Sequence, residues 1–415
     1  MFSDLDLSPE AVIKVFGVGG AGCNAVNEMI RRNDSSVEYV AINSDAQALK
    51  SSSADKVIQI GLETSKGLGC GAEPEQGAKA AMESAEEIKA ELEGVNMLFI
   101  AAGMGGGTGT GASPVIADMA KQLGILTVAV VTKPFSFEGK KRTTAASAGI
   151  HALKQHVDSL IVVENSKLIT MLPKGTTLID SLREADSVLC NAVFSIAELI
   201  TTTGLMNVDF ADVRTVMKCK GRALMGVGEG SGDNRAIEAA EQAIECPLLE
   251  EFEMNAAKGF LCTITHGLDF GIEEMGVIGE KVQELASSDA IVVIGTVTDP
   301  DMEDRCAVTV IATGLDGADL EPSPAISKIN TRTTLHDAKS VQAQRKQVAQ
   351  RQEVGSNMGV QSQSKVDTQA VSNMDQRQED PRVEPTLKAA TKEGGSNSHL
   401  NISSSPLERF NLKDA

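Results

Sequence analysis

Residues 101–114 read AAGMGGGTGTGASP, and this glycine-rich stretch determines how the rest of the chain is interpreted. It follows the apolar run NMLFIAAG, typical of a strand buried on both faces of a parallel sheet, and precedes the helical pattern PVIADMAKQL. Five glycines in the seven residues 105–111 permit positive φ and expose main-chain N–H groups to an anion. Thr108 and Thr110 add hydroxyl donors, and Pro114 suits the first turn of a helix. We therefore expect a phosphate-binding loop; the alternative is a flexible loop that binds nothing.

A second glycine cluster, GVGGAGCN, occupies residues 17–24 between a predicted strand and a predicted helix. It matches G-x-G-x-x-G at Gly17, Gly19 and Gly22, and Asp45 follows the next strand, as in dinucleotide-binding folds. A plain strand–helix turn is the alternative. Two phosphate-type loops at the ends of separate strands exceed what a dinucleotide needs, and they suit a nucleotide with three phosphates at the carboxyl edge of the sheet.

The order of apolar patterns predicts the architecture. Strand and helix patterns alternate over about residues 11–164, which predicts a doubly wound α/β domain with a mostly parallel sheet. Residues 177–203 form one long helical pattern. Four more apolar runs alternate with two helical patterns up to Leu315 and predict a smaller α/β sheet domain. Beyond residue 316 the polar residues Gln, Ser, Asn and Thr dominate. Such a segment cannot bury enough apolar surface to offset the entropy of ordering, so we expect a disordered linker.

The charge of the chain excludes several classes of partner. Its 415 residues carry 38 Lys and Arg against 57 Asp and Glu, a net charge of −19, and residues 316–415 hold 13 of each. The whole excess therefore lies in residues 1–315, and such an acidic body argues against binding to nucleic acid or to an anionic membrane. No apolar run approaches the length of a membrane span, the start is acidic, and the seven cysteines include no C-x-x-C pair. We expect a reduced, cytoplasmic protein.

Several ordered motifs carry a resemblance to a known family. They are GGGTGTG at 105–111, NSDAQAL at 43–49, TKPFSFEGKKR at 132–142, ELITTTGLMNVDFADVRTVM at 198–217 and PLLE at 247–250. With the cluster at 17–24 they span about residues 10–316 and resemble the tubulin/FtsZ family of GTPases. The resemblance implies a GTPase domain joined by a central helix to a smaller domain. The chain then divides into a flexible N-terminal arm (1–10), a GTP-binding domain (11–176), the central helix (177–203), a C-terminal GTPase-activating domain (204–316), a disordered linker (317–402) and a tail peptide (403–415).

The resemblance also assigns nucleotide-binding residues by position. It places phosphate contacts on both glycine clusters, ribose contacts on Glu138 and Asn165, and a phosphate or ribose contact on Arg142. Asp186 matches the residue that reads guanine, and its carboxylate can accept from N1–H and the 2-amino group. Without the family, a solvated helix residue would be the simpler interpretation of Asp186. The full predicted set is Gly20, Ala21, Gly22, Cys23, Asn24, Asn43, Gly103, Gly105, Gly106, Gly107, Thr108, Gly109, Thr110, Glu138, Arg142, Asn165 and Asp186. The GTP is expected to bring Mg²⁺ on its phosphates, and no protein ligand to the metal is predicted.

Asn207, Asp209 and Asp212 match the family's synergy loop, which reaches the nucleotide of the next subunit. The resemblance implies that they are the catalytic set, in which the carboxylates of Asp209 and Asp212 position and polarise the attacking water. The residues also have a structural explanation, because Asp209 can cap the following helix and Asp212 lies in its first turn. The two interpretations are compatible, since a capped helix holds the loop rigid.

The implied function is assembly-dependent hydrolysis of GTP in a filament of identical subunits that forms the cytokinetic ring at mid-cell. Other division proteins are expected to bind the tail, with the membrane reached only through adaptors, although SSPLERFNLKDA departs from the family's tail peptide. Leu182 stands where relatives often carry a Phe that stacks on guanine. Two alternatives stay open. One is an NAD-dependent oxidoreductase that uses Gly17 to Gly22 with Asp45; the other is a family member that joins or modulates filaments without hydrolysis.

Overall fold

The computed structural model of the chain describes residues 11–32, 37–173, 175–202, 204, 206, 208–249 and 256–315. The predicted N-terminal arm, linker and tail peptide lie outside the described residues. All the described residues belong to one compact unit, so the domain boundaries inferred from the sequence stay predictions.

A parallel sheet forms the amino-terminal half, and its strands are the apolar runs identified in the sequence. Its strand order is 3-2-1-4-5-6 with every pair parallel, the order of doubly wound dinucleotide-binding folds. The order reverses between the first and fourth strands, so a crevice opens at their carboxyl ends. The strands are β1 (Ile13–Val18), β2 (Glu38–Asn43), β3 (Lys56–Gln59), β4 (Met97–Gly103), β5 (Leu126–Lys133) and β6 (Ser159–Glu164).

Helices connect these strands across both faces of the sheet. They are α1 (Gly19–Arg31), α2 (Ala46–Lys50), α3 (Pro74–Glu83), α4 (Ala85–Leu92), α5 (Thr108–Gln122), α6 (Lys140–Lys154) and α7 (Asn165–Met171). The prediction that Pro114 lies in the first turn of a helix is wrong, because α5 begins six residues earlier, at Thr108. Positions 109 and 111 of this helix are occupied by glycine because the helix packs tightly there. A Cβ at either position would overlap a neighbouring main chain.

The predicted long helix is α8 (Leu178–Thr201), followed by α9 (Phe210–Met217). The hydroxyl of Thr177 caps α8 by accepting from the N–H of Asp180 at 3.2 Å. The middle of α8 packs against both halves of the chain. The Cys190 thiol donates to the Ala25 carbonyl at 3.5 Å, and the Thr263 hydroxyl donates to the Ser195 carbonyl at 2.8 Å.

The carboxyl-terminal half adds a mixed sheet with two helices. Its elements are β7 (Arg222–Ser231), α10 (Arg235–Ile244), β8 (Gly259–His266), α11 (Ile272–Leu285), β9 (Ile291–Thr298) and β10 (Arg305–Leu315). The order is β7-β10-β8-β9, with β10 antiparallel to both neighbours and β8 parallel to β9. Two parallel pairs, Leu160↔Arg222 and Ile161↔Ala223, join this sheet to β6. The predicted smaller sheet is therefore continuous with the first, through a pairing too short to predict from the sequence.

Apolar side chains fill both faces of the sheet, which confirms the predicted α/β class. One buried cluster runs from β1 and α1 through α8 into the carboxyl-terminal sheet, and the other lies between the parallel sheet and α3 to α6. Tyr39, the single tyrosine of a chain without tryptophan, is buried on β2. No helix among the described residues is long and apolar enough to span a membrane.

Candidate nucleotide-binding site

Two helix N-termini meet at the point where the strand order reverses. Helix α1 follows β1 and helix α5 follows β4, and neither helix start has a side-chain cap. Their first-turn N–H groups therefore need an acceptor from outside the helix, and the positive ends of both dipoles favour an anion. Gly19 has φ +75°, and a Cβ there would lie 2.8 Å from the Gly109 nitrogen. The two glycine clusters thus touch, as a polyphosphate site requires.

The glycines of the two clusters divide into packed and open positions. A Cβ at Gly22 would overlap the Ala101 carbonyl, and one at Gly107 would lie 2.6 Å from the Gly71 oxygen. A Cβ at Gly20 or Gly106 would meet nothing within 4 Å. Within 105–111, Gly105 is the one glycine with positive φ, at +106°, so only one of the five uses the freedom that the sequence permits. Most of these glycines allow close packing, while Gly20 and Gly106 leave space beside the helix ends.

The threonine hydroxyls of the second cluster are used inside the loops. Thr108 Oγ1 lies 2.6 Å from the buried Ser44 Oγ, and Thr110 Oγ1 accepts from the Gly105 N–H at 2.8 Å. The Asn43 side chain accepts from the Asp45 N–H at 3.3 Å. Both hydroxyls therefore tie the loops together, and the Thr110 hydroxyl, which acts here as an acceptor, keeps its own hydrogen to donate. Ser44 belongs to the NSDAQAL motif at 43–49, and the sequence predicted no contact for it.

The remaining predicted residues of the first cluster occupy the first turns of α1. Gly20 and Asn24 are exposed, Ala21 is half-buried, and Gly22 and Cys23 are buried. The Cys23 thiol lies 3.5 Å from the Gly17 carbonyl oxygen as a donor, and burial raises its pKa to about 12. A neutral, buried thiol cannot bind phosphate, so this side chain serves packing. Gly103, at the end of β4, packs so closely that a Cβ would lie 2.6 Å from Cβ of Ala21.

The carboxylate of Asp45 is engaged as a helix cap. It accepts from the N–H groups of Gln47 at 2.8 Å and Ala48 at 3.3 Å, at the start of α2. The oxidoreductase interpretation needs this carboxylate on a ribose. The capping role of Oδ1 therefore explains Asp45 without a dinucleotide.

The predicted ribose contacts lie together on the loops after β5 and β6. Glu138 accepts from the Phe135 N–H at 2.9 Å and forms an ion pair with Arg142. The Ser136 N–H donates to the Ser166 hydroxyl at 3.2 Å and so ties this loop to the start of α7. There, Oδ1 of Asn165 is buried with no hydrogen-bond partner among the described residues. A buried amide oxygen left unpaired indicates a missing donor, such as a ribose hydroxyl.

The predicted guanine-reading residue lies where α8 packs on α1. Burial raises the pKa of the Asp186 carboxyl to about 7, the Glu28 carboxylate adds to the shift, and Arg31 opposes it. Leu182, one turn earlier on the same face of α8, is exposed. A carboxyl group whose pKa is raised by burial is typical of a ligand-binding site. Two N–H donors from a base would stabilise its charged form.

The predicted catalytic residues lie at the other end of α8. Asp209 Oδ1 accepts from the Asp212 N–H at 2.8 Å, which confirms the predicted cap of α9. Both carboxylates are exposed, and Asn207 lies outside the described residues. From Asp186 to Thr201 the helix rises roughly 22 Å at 1.5 Å per residue. Asp209 and Asp212 therefore follow the end of α8 that lies away from Asp186.

Comparisons with known proteins agree with this arrangement. The GTPase domain model of the tubulin/FtsZ family matches residues 12–173, and the C-terminal domain model of the FtsZ family matches residues 221–316. The cell division protein FtsZ of Buchnera aphidicola subsp. Schizaphis graminum is 56% identical over 315 residues, 76% of this chain and 82% of that protein. FtsZ of Coxiella burnetii is 55% identical over 316 residues, with the same shares. Among solved structures, an empty FtsZ dimer of M. jannaschii has a TM-score of 0.71 at 43% identity, covering 74% of this chain and 89% of that one.

Proposed function

The chain belongs to the tubulin/FtsZ family of GTPases, and from this premise we propose that it is a self-polymerising GTPase of bacterial cell division. The observation that carries the proposal is the meeting of two uncapped helix N-termini. It is joined by the buried Asn165 Oδ1, which has no hydrogen-bond partner among the described residues, and by the raised pKa of the Asp186 carboxyl. We infer that this edge supplies anion binding, a ribose acceptor and a guanine acceptor, the three kinds of contact that GTP needs.

Each part of GTP has a proposed partner. The phosphates bind main-chain N–H groups at the starts of α1 and α5, since these replace the basic patch that the acidic body lacks. Glu138, Arg142 and Asn165 hold the ribose side, and Asp186 accepts from guanine. Mg²⁺ arrives on the phosphate oxygens, a ligand type that it favours over an all-protein cage.

Hydrolysis requires a second subunit. Asp209, Asp212 and Asn207 of one subunit approach the γ-phosphate of the next, where the carboxylates orient a water that attacks it and releases GDP and phosphate. Phosphoryl transfer depends mainly on such positioning. Because α8 separates the two ends of one chain, assembly completes the site and turnover follows polymerisation. In the cell, we place this filament in the cytoplasm at the mid-cell division site, with other division proteins bound through the tail.

Light scattering and phosphate release in Mg²⁺, with GTP, GDP or no nucleotide, test the proposal together. We expect both signals with GTP at micromolar protein, and the absence of GTP-dependent scattering would refute it. Asp212→Ala should keep GTP binding, lose phosphate release and give longer-lived polymers. Mixed with a variant that cannot bind GTP but retains Asp212, it should recover phosphate release that neither variant shows alone. Unchanged release by Asp212→Ala would contradict the role of this carboxylate.

A further inference from the structure

Arg235, the first residue of α10, is buried with 5% of its surface exposed and is held by two acidic residues. Its Nε and Nη2 donate to the two oxygens of Glu274, at 2.7 and 3.1 Å. Its Nη1 donates to both oxygens of Asp269, at 3.1 and 3.0 Å. The guanidinium also lies over the Phe270 ring, 5.8 Å from the centroid. These contacts pin the segment 267–274, which links β8 to α11.

This position is unusual for a cation, and the two acidic partners raise the pKa of Arg235 above its usual value, Glu274 most of all. It lies at the positive end of a helix dipole and away from water. Ion pairs of a buried arginine are weak evidence for the stability of a fold, and the Asp269 side chain is 60% exposed. Their clearer consequence is geometric, because they fix where Asp269 and Glu274 lie. The Glu274 carboxylate, whose pKa Arg235 holds below its usual value, also accepts from the Gly271 N–H at 2.7 Å. The turn within the segment 267–274 is therefore held at Asp269 and again at Glu274.

The pinned segment presents two large apolar side chains to solvent. Leu268 is 80% exposed and Ile272 is 84% exposed. Both follow β8 at His266, which pairs with Thr298 of β9. Two residues before Thr298, the N–H of Thr296 donates to the Met206 carbonyl at 3.3 Å. The apolar pair thus lies at the end of the sheet that also carries the segment leading to Asp209.

The opposite, nucleotide-binding edge has complementary features. Leu68 is 86% exposed and Phe137 is 63% exposed. After Phe137 come Lys140 and Lys141, two exposed lysines at the start of α6 that form no ion pair within the described part of the chain. The pinned segment carries the opposite charge in the exposed Glu273. A second copy of this chain therefore offers apolar and charged groups that match the segment.

We propose that Arg235 is a positioning residue for self-association: it holds 267–274 in the shape in which Leu268 and Ile272 dock on the nucleotide edge of the next subunit. This inference rests on the proposed polymerisation. A preformed segment loses little entropy on docking, so removal of the fork-shaped guanidinium weakens association without touching the nucleotide.

The test compares the critical concentration for GTP-dependent sedimentation across full-length variants. Arg235→Lys keeps the charge and loses the fork, and Leu268→Ser with Ile272→Ser removes the docking pair. Each should raise the critical concentration roughly five- to tenfold. The affinity of unassembled protein for GTP should stay within about twofold. The controls are Arg305→Met, an arginine that pairs with Glu229 outside the segment, and Val57→Ser on β3 at the far edge of the sheet; both should assemble as wild type.

A double-mutant cycle separates positioning from general stability. If Arg235 acts through the segment, adding Arg235→Lys to the Leu268/Ile272 variant should raise the critical concentration no further. Full additivity, or an unchanged critical concentration in either variant, would overturn the inference. If Arg235→Lys does not fold, Asp269→Asn, which removes an exposed partner of the guanidinium, replaces it in the cycle with the same expected rise. Wild-type protein that fails to assemble with GTP would contradict the proposed function instead.

Discussion

Asp186→Asn should stabilise the fold while it damages guanine recognition. Burial next to Glu28 raises the pKa of the Asp186 carboxyl from 3.8 to about 7. At about 1.36 kcal/mol per unit, the charged form costs the folded state about 4 kcal/mol at most. Solvent screening of this half-buried group reduces the cost of the charged form to about 2 kcal/mol. The asparagine side chain has the same shape and no charge, so it removes this cost.

The stability gained by this substitution should depend on pH. Because the folded-state pKa is above the unfolded one, the protonated carboxyl favours folding below about pH 4, and this contribution is lost as the pH rises through about 7. In urea unfolding without nucleotide, the free energy of unfolding of Asp186→Asn should therefore exceed that of wild type by an amount that grows between about pH 4 and 7. Asp289→Asn, on an exposed aspartate before β9, is the matched control. A stability gap independent of pH between about 5 and 8 would refute the reasoning.

The same substitution should change nucleotide preference. Loss of an ionised acceptor for two N–H donors should weaken GTP binding roughly 10- to 100-fold. An asparagine can donate to the 2-oxo group of xanthine, so the xanthine nucleotide should bind better than to wild type. Equilibrium binding of the guanine and xanthine nucleotides measures this change in preference. Undiminished GTP affinity would show that Asp186 does not read the base.

Three further predictions concern the glycines, the unpaired amide and the linker. Gly22→Ala should lower the melting temperature by several degrees because its Cβ would overlap the Ala101 carbonyl. Gly20→Ala, with open space, should melt as wild type but bind GTP more weakly; equal melting of the two would contradict this division. Asn165→Leu should unfold at the same or higher urea concentration yet lose GTP affinity, whereas a large loss of stability would show that its amide is already paired. Deletion of 317–402 should leave calorimetric melting of the body unchanged, and a marked drop would refute the linker assignment.

Local patterns predicted much of this fold. The strands of the parallel sheet appear as continuous apolar runs because both faces are covered, and the cap of α9 follows from Asp209 alone. The start of α5 could not be predicted, because six residues rich in glycine and threonine are poor helix formers and only tertiary packing makes them helical.

Contacts between distant segments explain the other failures. The joint between β6 and β7 consists of two residue pairs about 60 positions apart, too short to leave a periodic signal. Arg235 and Glu274 belong to helical patterns that looked ordinary separately, and the ion cluster exists only when α10 and α11 are folded against β8. At the nucleotide edge, the family motif located the residues, while the structure distinguished glycines that pack from those that leave space.

The presence of a single tyrosine, the buried Tyr39, in a chain with no tryptophan has an optical consequence. Near-ultraviolet absorbance of the protein is weak, so a bound guanine ring would contribute a large part of the spectrum, and nucleotide content could be read directly from purified protein. A tryptophan placed at exposed Leu182, on the helix face of Asp186, would be the sole indole of the molecule. Its fluorescence would follow occupancy of the base site without background.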